Sequence, residues 1–177
     1  ATVLDPYNNQ TLYTFNPELN AWTVILNPNG NITTRIIDEN RNRTSETDFN
    51  GNTTYYTYDE KGNVLQTTDP KGNTTHYTYN QFNQILTSTD QLGNTTTYTY
   101  DQKGNLLQQT DALGNRTTYT YDSKGNLTST TDARGNQSTN TYDQYGNLIQ
   151  TVDPQGNRTI NTYDILGNLF STTNPKG

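Results

Sequence analysis

The chain carries an internal repeat with a fixed period of 21 residues, and this repeat decides the kind of fold open to it. The dipeptide Tyr-Asp recurs at that spacing, and Tyr-Asn fills one gap in the series. The marker tyrosines are Tyr58, Tyr79, Tyr100, Tyr121, Tyr142 and Tyr163. A short fixed period is typical of proteins whose units contact only their neighbours and cannot fold alone. We therefore expect one array with no separate globular domain.

Two Gly-Asn dipeptides divide most repeats into halves. One glycine series is Gly62, Gly104, Gly125, Gly146 and Gly167, with Asn83 in the vacant position. The other series is Gly51, Gly72, Gly93, Gly114, Gly135 and Gly156. Aspartate at the start of a turn accepts a backbone hydrogen bond, and glycine supplies the positive φ that closes a hairpin. Each repeat is therefore predicted to be two antiparallel strands and two tight turns, or about 16 strands over roughly eight repeats.

The first 50 residues look like a degenerate version of the same unit. Ile37-Asp38 lies 21 residues before Tyr58-Asp59, and further upstream the offset becomes 22 through one inserted residue. We expect degenerate repeats over residues 1–50 and regular repeats over residues 51–177, within a single array. The chain does not begin with methionine and stops within a turn motif, so we also expect it to be part of a longer protein.

Composition indicates what holds such an array together. Only 28% of the residues are hydrophobic, against roughly 45–50% in an average globular domain, so a thick core is not expected. Because neighbouring strand residues face opposite sides, one face should carry tyrosine and aliphatic side chains and the other threonine. Tyr100 and Leu106 represent the first face, and Thr99 represents the second. Ladders of like residues are predicted to stabilise the sheet.

Charge and hydropathy argue against several classes of partner. The formal net charge of −6 provides no basic patch for nucleic acid and disfavours anionic membrane surfaces. No apolar run approaches the roughly 20 residues that a membrane helix needs. We expect neither a nucleic-acid partner nor membrane insertion.

No catalytic, cofactor or metal site is predicted. His76 is the one histidine and cysteine is absent, which disfavours a zinc site or a histidine-based triad. Paired catalytic carboxylates need different environments, whereas a repeat gives every aspartate nearly the same one. The aspartates are read as turn residues, with calcium binding by these oxygen-rich turns as the alternative.

The unit Gly-Asn-x-Thr-x-Tyr-x-Tyr-Asp-x-x-Gly-Asn-Leu resembles the YD repeat of bacterial RHS (rearrangement hotspot) proteins. The same repeat occurs in the C-component of insecticidal toxin complexes, in wall-associated proteins and in teneurins. The likeness is close from Gly51 to Gly177 and loose before that. It implies an all-β, continuous antiparallel sheet that spirals into a shell or solenoid-like ribbon. It also implies an extracellular, cell-surface or secreted-particle location.

RHS shells of toxins enclose a toxin polypeptide, and they usually end in a self-cleaving protease marked by Asp-Pro-x-Gly-Leu. The similar elements at residues 69–73 and 153–157 end in asparagine, so no protease residue is carried over. The resemblance favours a non-catalytic scaffold that encloses or displays another polypeptide, such as a toxin. The alternative is an extracellular fibre or adhesin that binds carbohydrate or cells.

Partners would be neighbouring repeats, copies of the chain, an enclosed toxin polypeptide or surface carbohydrate. The marker tyrosines are expected to pack against the aliphatic stripe. A second tyrosine series is less regular, because asparagine replaces it in later repeats, and it is the better candidate for an exposed binding role. Its members are Tyr56, Tyr77, Tyr98 and Tyr119.

Overall fold

A computed structural model of the chain describes residues 2–4, 10–18, 21–26 and 32–174. Within these ranges every regular element is a β-strand, so the all-β prediction is confirmed. The described strands number 17, one more than the sequence predicted. No helix in this part of the chain is long and apolar enough to cross a membrane.

The chain divides into two compact units, Ala1–Asn94 and Thr95–Gly177. The first unit contains β1 (Thr2–Leu4), β2 (Gln10–Asn16), β3 (Ala21–Leu26), β4 (Ile32–Ile37), β5 (Arg43–Thr47), β6 (Thr53–Tyr58), β7 (Val64–Thr68), β8 (Thr74–Tyr79) and β9 (Ile85–Thr89). The second contains β10 (Thr95–Tyr100), β11 (Leu106–Thr110), β12 (Arg116–Tyr121), β13 (Leu127–Thr131), β14 (Gln137–Tyr142), β15 (Leu148–Val152), β16 (Arg158–Tyr163) and β17 (Leu169–Thr173). In each unit, consecutive strands pair antiparallel.

The hairpin whose turn follows the marker tyrosine contains a β-bulge at the same place in each described repeat, whereas the other hairpin of a repeat keeps a continuous register. In the β10–β11 hairpin Thr99 lies opposite Gln108, whereas Tyr100 lies opposite Leu106, so Leu107 is the extra residue. Each marker tyrosine therefore faces the aliphatic residue that begins the next strand, as Tyr121 faces Leu127 and Tyr163 faces Leu169. A bulge of this kind bends the strand and increases its twist.

The two faces of the sheet differ as the sequence predicted. In β10 the side chains of Tyr98 and Tyr100 are half-buried, while those of Thr97 and Thr99 are exposed. We call the side with Tyr98 and Tyr100, and the equivalent positions of other repeats, the Tyr face. The opposite side, with Thr97 and Thr99, is the Thr face.

No thick core is formed. None of the described hydrophobic residues is buried, and the buried residues are the small hydroxyl-bearing Thr33, Ser45 and Ser129. Since little apolar surface is removed from water, cross-strand hydrogen bonds and half-buried aromatic rings must supply the cohesion.

The strand register advances from repeat to repeat. Across β10, β11 and β12, Thr99 aligns with Gln108 and then with Thr118. The residue equivalent to Thr99 is Thr120, so each repeat is displaced by two residues along the strand. The first unit does the same, since Thr57 aligns with Gln66 and then with His76. Two residues correspond to about 6.6 Å along the strand at ~3.3 Å each, and the two strands of one repeat span about 9.6 Å at ~4.8 Å each. The strands are therefore tilted by about 35° from the perpendicular to the direction in which the repeats stack.

Candidate functional site

The Asp-x-x-Gly-Asn turn is a closed network of hydrogen bonds. In the turn at residues 101–105, the amide of Gly104 donates to the Asp101 carbonyl at 3.1 Å and the amide of Asp101 donates to the Asn105 carbonyl at 2.9 Å. The Asp101 carboxylate accepts from the amides of Lys103 and Asn105, each at 2.8 Å, and from the Asn105 side-chain amide at 2.8 Å. The second residue of the Gly-Asn dipeptide therefore clamps the aspartate, a role that sequence reasoning missed.

These hydrogen bonds favour the charged carboxylate. The side-chain hydrogen bond from Asn105, with the backbone bonds behind it, lowers the pKa of Asp101. The side chain of the paired asparagine is likewise the main reason that the pKa is lowered at Asp48, Asp59, Asp90, Asp111, Asp122, Asp132, Asp143, Asp153 and Asp164. At Asp69 the pKa is lowered mainly by the backbone hydrogen bond from Asn73. In the described ranges no group of three or more acidic or histidine side chains is placed to hold a metal ion.

The marker glycines occupy the left-handed region of backbone space. Gly62, Gly104, Gly125, Gly146 and Gly167 have φ angles from 82° to 91°. Asn83, which stands in this series where glycine is missing, adopts a φ of 63°. Asparagine tolerates this region better than most residues, so the turn is kept without glycine.

The marker tyrosines connect each repeat to the one before it. The hydroxyls of five of the six donate a hydrogen bond to the main-chain carbonyl 15 residues earlier, where a strand of the preceding repeat begins. The bonds are Tyr58 to Arg43 at 2.7 Å, Tyr79 to Val64 at 2.8 Å, Tyr121 to Leu106 at 3.0 Å, Tyr142 to Leu127 at 2.9 Å and Tyr163 to Leu148 at 2.9 Å. Partial burial raises the pKa of Tyr58, Tyr79, Tyr100 and Tyr121.

The second tyrosine series lies on the same face and is also half-buried. Burial therefore does not separate the two series, whereas hydrogen bonding does. The hydroxyls of Tyr77, Tyr98 and Tyr119 make no hydrogen bond to any described residue. The guanidinium of Arg43 lies over the ring of Tyr56, 4.7 Å from its centre. A binding role for this series stays a prediction.

Asparagine replaces the second tyrosine in the last repeats and takes a structural role. The side-chain amide of Asn140 donates to the Leu127 carbonyl at 3.1 Å, beside the bond from Tyr142. Asn161 does the same at Leu148, at 3.0 Å. Both lone pairs of these carbonyls are therefore used.

A charged cluster occupies the Tyr face of the degenerate repeat. Arg35 stands in the position of Tyr56, and Arg43 in that of Val64. The Glu46 carboxylate accepts from Arg35 at 2.8 Å and also from Arg43. The hydrogen bond from Arg35 is the main reason that the pKa of Glu46 is lowered. Sequence reasoning did not identify this cluster, since it depends on cross-strand pairing.

The turns form two rows along the two ends of the strands. We call the turns at residues 38–42, 59–63, 80–84, 101–105, 122–126, 143–147 and 164–168 the first row. The second row comprises residues 48–52, 69–73, 90–94, 111–115, 132–136 and 153–157.

Three pairs of neighbouring first-row turns touch one another within their units. The ammonium of Lys61 donates to the Gln81 carbonyl at 3.3 Å, that of Lys103 to the Ser123 carbonyl at 2.7 Å, and that of Lys124 to the Gln144 carbonyl. The second row is open, because a Cβ added at Gly72 or Gly114 would meet no atom within 4 Å.

Two clefts open between first-row turns of the second unit. One has a volume of about 540 Å³ and is lined by Leu107, Tyr119 and Tyr121 beside the turn at 101–105. The other has a volume of about 580 Å³ and is lined by Ile149, Tyr163, Ile165 and Leu166 beside the turn at 143–147. Each combines the aliphatic side chain of a bulge residue, Leu107 or Ile149, with a marker tyrosine.

His76 stands apart from any of these groups. It lies on the Thr face, opposite Gln66 on one side and Thr89 on the other. Its neighbours are uncharged, and its exposed side chain has the environment of an ordinary strand residue.

Comparison with known proteins agrees with this geometry. A profile of the RHS Repeat family matches residues 58–90, 79–108, 100–137 and 142–177, more than half of the chain. No curated protein matches the chain.

The fold is similar to that in several crystal structures. The chain aligns with TcdB2-TccC3 lacking its hypervariable C-terminal region, at a TM-score of 0.72 and 20% identity, over 93% of this chain and 10% of that one. It aligns with TcdB2-TccC3 at a TM-score of 0.68 and 20% identity, over 88% of this chain and 10% of that one. It aligns with TcdB2-TccC3-Cdc42 at a TM-score of 0.60 and 15% identity, over 98% of this chain and 13% of that one. The chain thus spans about a tenth of the length of these structures.

Proposed function

The chain belongs to the RHS-repeat family, and on that premise we propose that it is a non-catalytic scaffold, one wall of a β-shell that encloses or displays another polypeptide. The single observation that carries this proposal is the way the sheet is held together although none of its described hydrophobic residues is buried. Hydroxyls of the marker tyrosines join consecutive repeats at carbonyls 15 residues earlier. Each unit is therefore a wall one sheet thick, with the Tyr face on one side and the Thr face on the other.

A scaffold role also fits the state of the acidic residues. The carboxylates of the turns are occupied by amide donors, as in the turn of Asp122, where the amides of Lys124 and Asn126 and the Asn126 side chain all donate. Their charge stabilises the turns, and these turn aspartates share nearly the same environment, whereas general acid–base chemistry requires carboxylates in different environments.

The identity of the enclosed partner comes from the family. RHS shells of toxin complexes enclose a toxin polypeptide and act as secreted particles, so we place this chain outside the cell or on its surface. The likeness to TcdB2-TccC3 at 20% identity supports the fold of such a wall. A toxin polypeptide is the enclosed partner in this proposal.

A second candidate function is carbohydrate or cell-surface binding by an extracellular fibre. One observation favours it, namely the half-buried tyrosine rings at Tyr98 and Tyr119 in the second unit, whose hydroxyls make no hydrogen bond to any described residue; Tyr77 in the first unit is similar. Aromatic rings with a polar tip suit partly wet surfaces.

Electron microscopy of the native assembly that contains this segment distinguishes the two functions. Closed hollow particles with internal density support the shell, and mass spectrometry of the particles then identifies the enclosed polypeptide. Long filaments with a regular axial rise would contradict enclosure and support the fibre.

A further inference from the structure

We propose that the cleft between the turns at residues 143–147 and 164–168, here called the acidic cleft, binds a cationic amphipathic segment of polypeptide. The segment would place an aliphatic or aromatic side chain in the cleft and its flanking lysine or arginine residues beside the two turns. The inference rests on the proposed function only in that the occupant is a polypeptide.

The acidic cleft has an apolar lining and apolar side chains exposed at its rim. Its volume is about 580 Å³, with Ile149 and Tyr163 in its lining. At its rim the relative exposure is 81% for Tyr145, 101% for Ile165 and 82% for Leu166. Adjacent large apolar side chains that are fully solvated mark an interaction surface more often than isolated ones do.

The cleft beside the turn at residues 101–105 contains a lysine contact that the acidic cleft lacks. There the residue equivalent to Tyr145 is Lys103, and its ammonium donates to the Ser123 carbonyl at 2.7 Å, which ties one turn to the next. Lys124 makes the corresponding bond to Gln144. Tyr145 has no ammonium to offer the next turn, so the rim of the acidic cleft lacks this tie.

Loss of the lysines also changes the local charge. The turns at 101–105 and 122–126 each contain one aspartate and one lysine, and are neutral. The turns at 143–147 and 164–168 contain Asp143 and Asp164 as their only charged residues and supply no cation of their own; the Lys124 ammonium that bonds to Gln144 comes from the preceding turn. A ligand cation would complement these charges, whereas an anionic ligand would be repelled.

Both carboxylates are fixed in place. Asp143 accepts from the amides of Tyr145 and Asn147 at 2.8 and 2.9 Å, and Asp164 accepts from those of Leu166 and Asn168, each at 2.9 Å. The side-chain hydrogen bonds from Asn147 and Asn168 lower the pKa of Asp143 and Asp164, so both stay ionised at neutral pH. The cleft thus offers an apolar surface between two carboxylates that are already held in position before a ligand binds.

The test is a titration of the full-length chain, labelled with nitrogen-15, with the blocked peptide Lys-Leu-Lys-Phe-Lys. Amide shifts should change within residues 143–149 and 163–167, and the affinity should fall as salt is added. The peptide Glu-Leu-Glu-Phe-Glu is the charge control and should not bind.

Two variants make the test specific. The double variant Tyr145→Lys and Leu166→Lys restores the lysine pattern of the earlier turns and should weaken binding at least tenfold. Leu113→Lys is the matched control, because Leu113 is 87% exposed in a second-row turn, and it should leave the affinity unchanged.

The proposal is overturned if the acidic peptide binds equally well, if shifts spread equally to residues 101–107, or if the double variant keeps its affinity. These outcomes concern the cleft alone. Microscopy that showed filaments would remove the shell and leave the cleft standing, and failure of the titration would leave the shell untouched.

Discussion

The hydroxyl of Tyr121 donates a 3.0 Å hydrogen bond to the main-chain carbonyl of Leu106, and thereby links a strand to the start of the strand before it. The bond bypasses the second-row turn that joins these two strands in sequence. It brings neighbouring first-row turns together, and so explains why a hydroxyl-bearing aromatic residue, and not phenylalanine, marks the repeat.

Replacing Tyr121 with phenylalanine tests this bond directly. The ring stays while the half-buried carbonyl of Leu106 loses a donor, so the free energy of unfolding should fall by about 1 kcal/mol. Urea denaturation measures the change. Tyr119→Phe is the control, since its hydroxyl makes no hydrogen bond to a described residue, and it should be close to neutral. Equal losses in both variants would refute a special role for the marker tyrosine.

Gly125 tests the backbone requirement of the turn. Its φ is +89°, and an added Cβ would only reach ordinary contact with the Asn105 side chain at 3.6 Å. Gly125→Ala should therefore cost about 1 kcal/mol through backbone strain alone. Gly125→Asn should cost less, because Asn83 adopts a φ of 63° at the equivalent position. Thermal unfolding of the two variants ranks them, and the reverse order would contradict this account.

The turn aspartates predict loss of stability in acid. The folded pKa of Asp122 is lowered from 3.8, mainly by the side chain of Asn126. A depressed folded pKa gives stability that is present above the unfolded pKa and disappears as pH falls through the folded value. Unfolding midpoints measured between pH 6 and pH 2 should therefore fall once the pH drops below about 4.

The turn at residues 80–84 is an internal control for this acid effect. It begins with Asn80, whose side-chain oxygen accepts from the amides of Phe82 and Gln84 without carrying a charge. Hydrogen exchange should show its amide protection persisting at a pH where protection at residues 122–126 is lost. Parallel loss in both turns would point to global unfolding as the cause.

Tyrosine ionisation predicts a second limit at alkaline pH. Burial raises the pKa of Tyr79 and Tyr121 above 10.0, so their neutral forms are favoured in the folded chain. This contribution is complete below the unfolded pKa and is lost as pH rises through the folded value. Tyrosinate absorbance should show a late-titrating class that shrinks in Tyr121→Phe, and stability should decline above about pH 10.

Much of this architecture could be predicted because the repeat samples each position several times. Tyr100, Leu106 and Thr99 each stand for a column of like residues, and such columns reveal strand faces that a single copy would not. The Asp-x-x-Gly spacing likewise predicted the turns by chemistry that acts within five residues.

What the sequence did not reveal depends on cross-strand distances. The bond from Tyr121 to Leu106 spans 15 residues, and that of Lys103 to Ser123 spans 20. Both follow from the bulge and the two-residue register advance, which no local propensity encodes. The cluster of Arg35, Glu46 and Arg43 was missed for the same reason, since its members meet only after β4 and β5 pair.

The two rows of turns differ in their contacts, so sequence changes should be tolerated more readily in the second row than in the first as such proteins diversify. At Gly114 an added side chain would meet nothing within 4 Å, so a grafted loop there has room to project without disturbing its neighbours. A ten-residue insertion after Ala112 would break the hydrogen bonds of its own turn and no contact to a neighbouring turn, so we expect a small fall in the melting temperature. The same insertion after Ser123 should lower it further, because the carbonyl that Lys103 binds would also be displaced. New recognition elements can therefore accumulate in the second row, while the first row preserves the strand register.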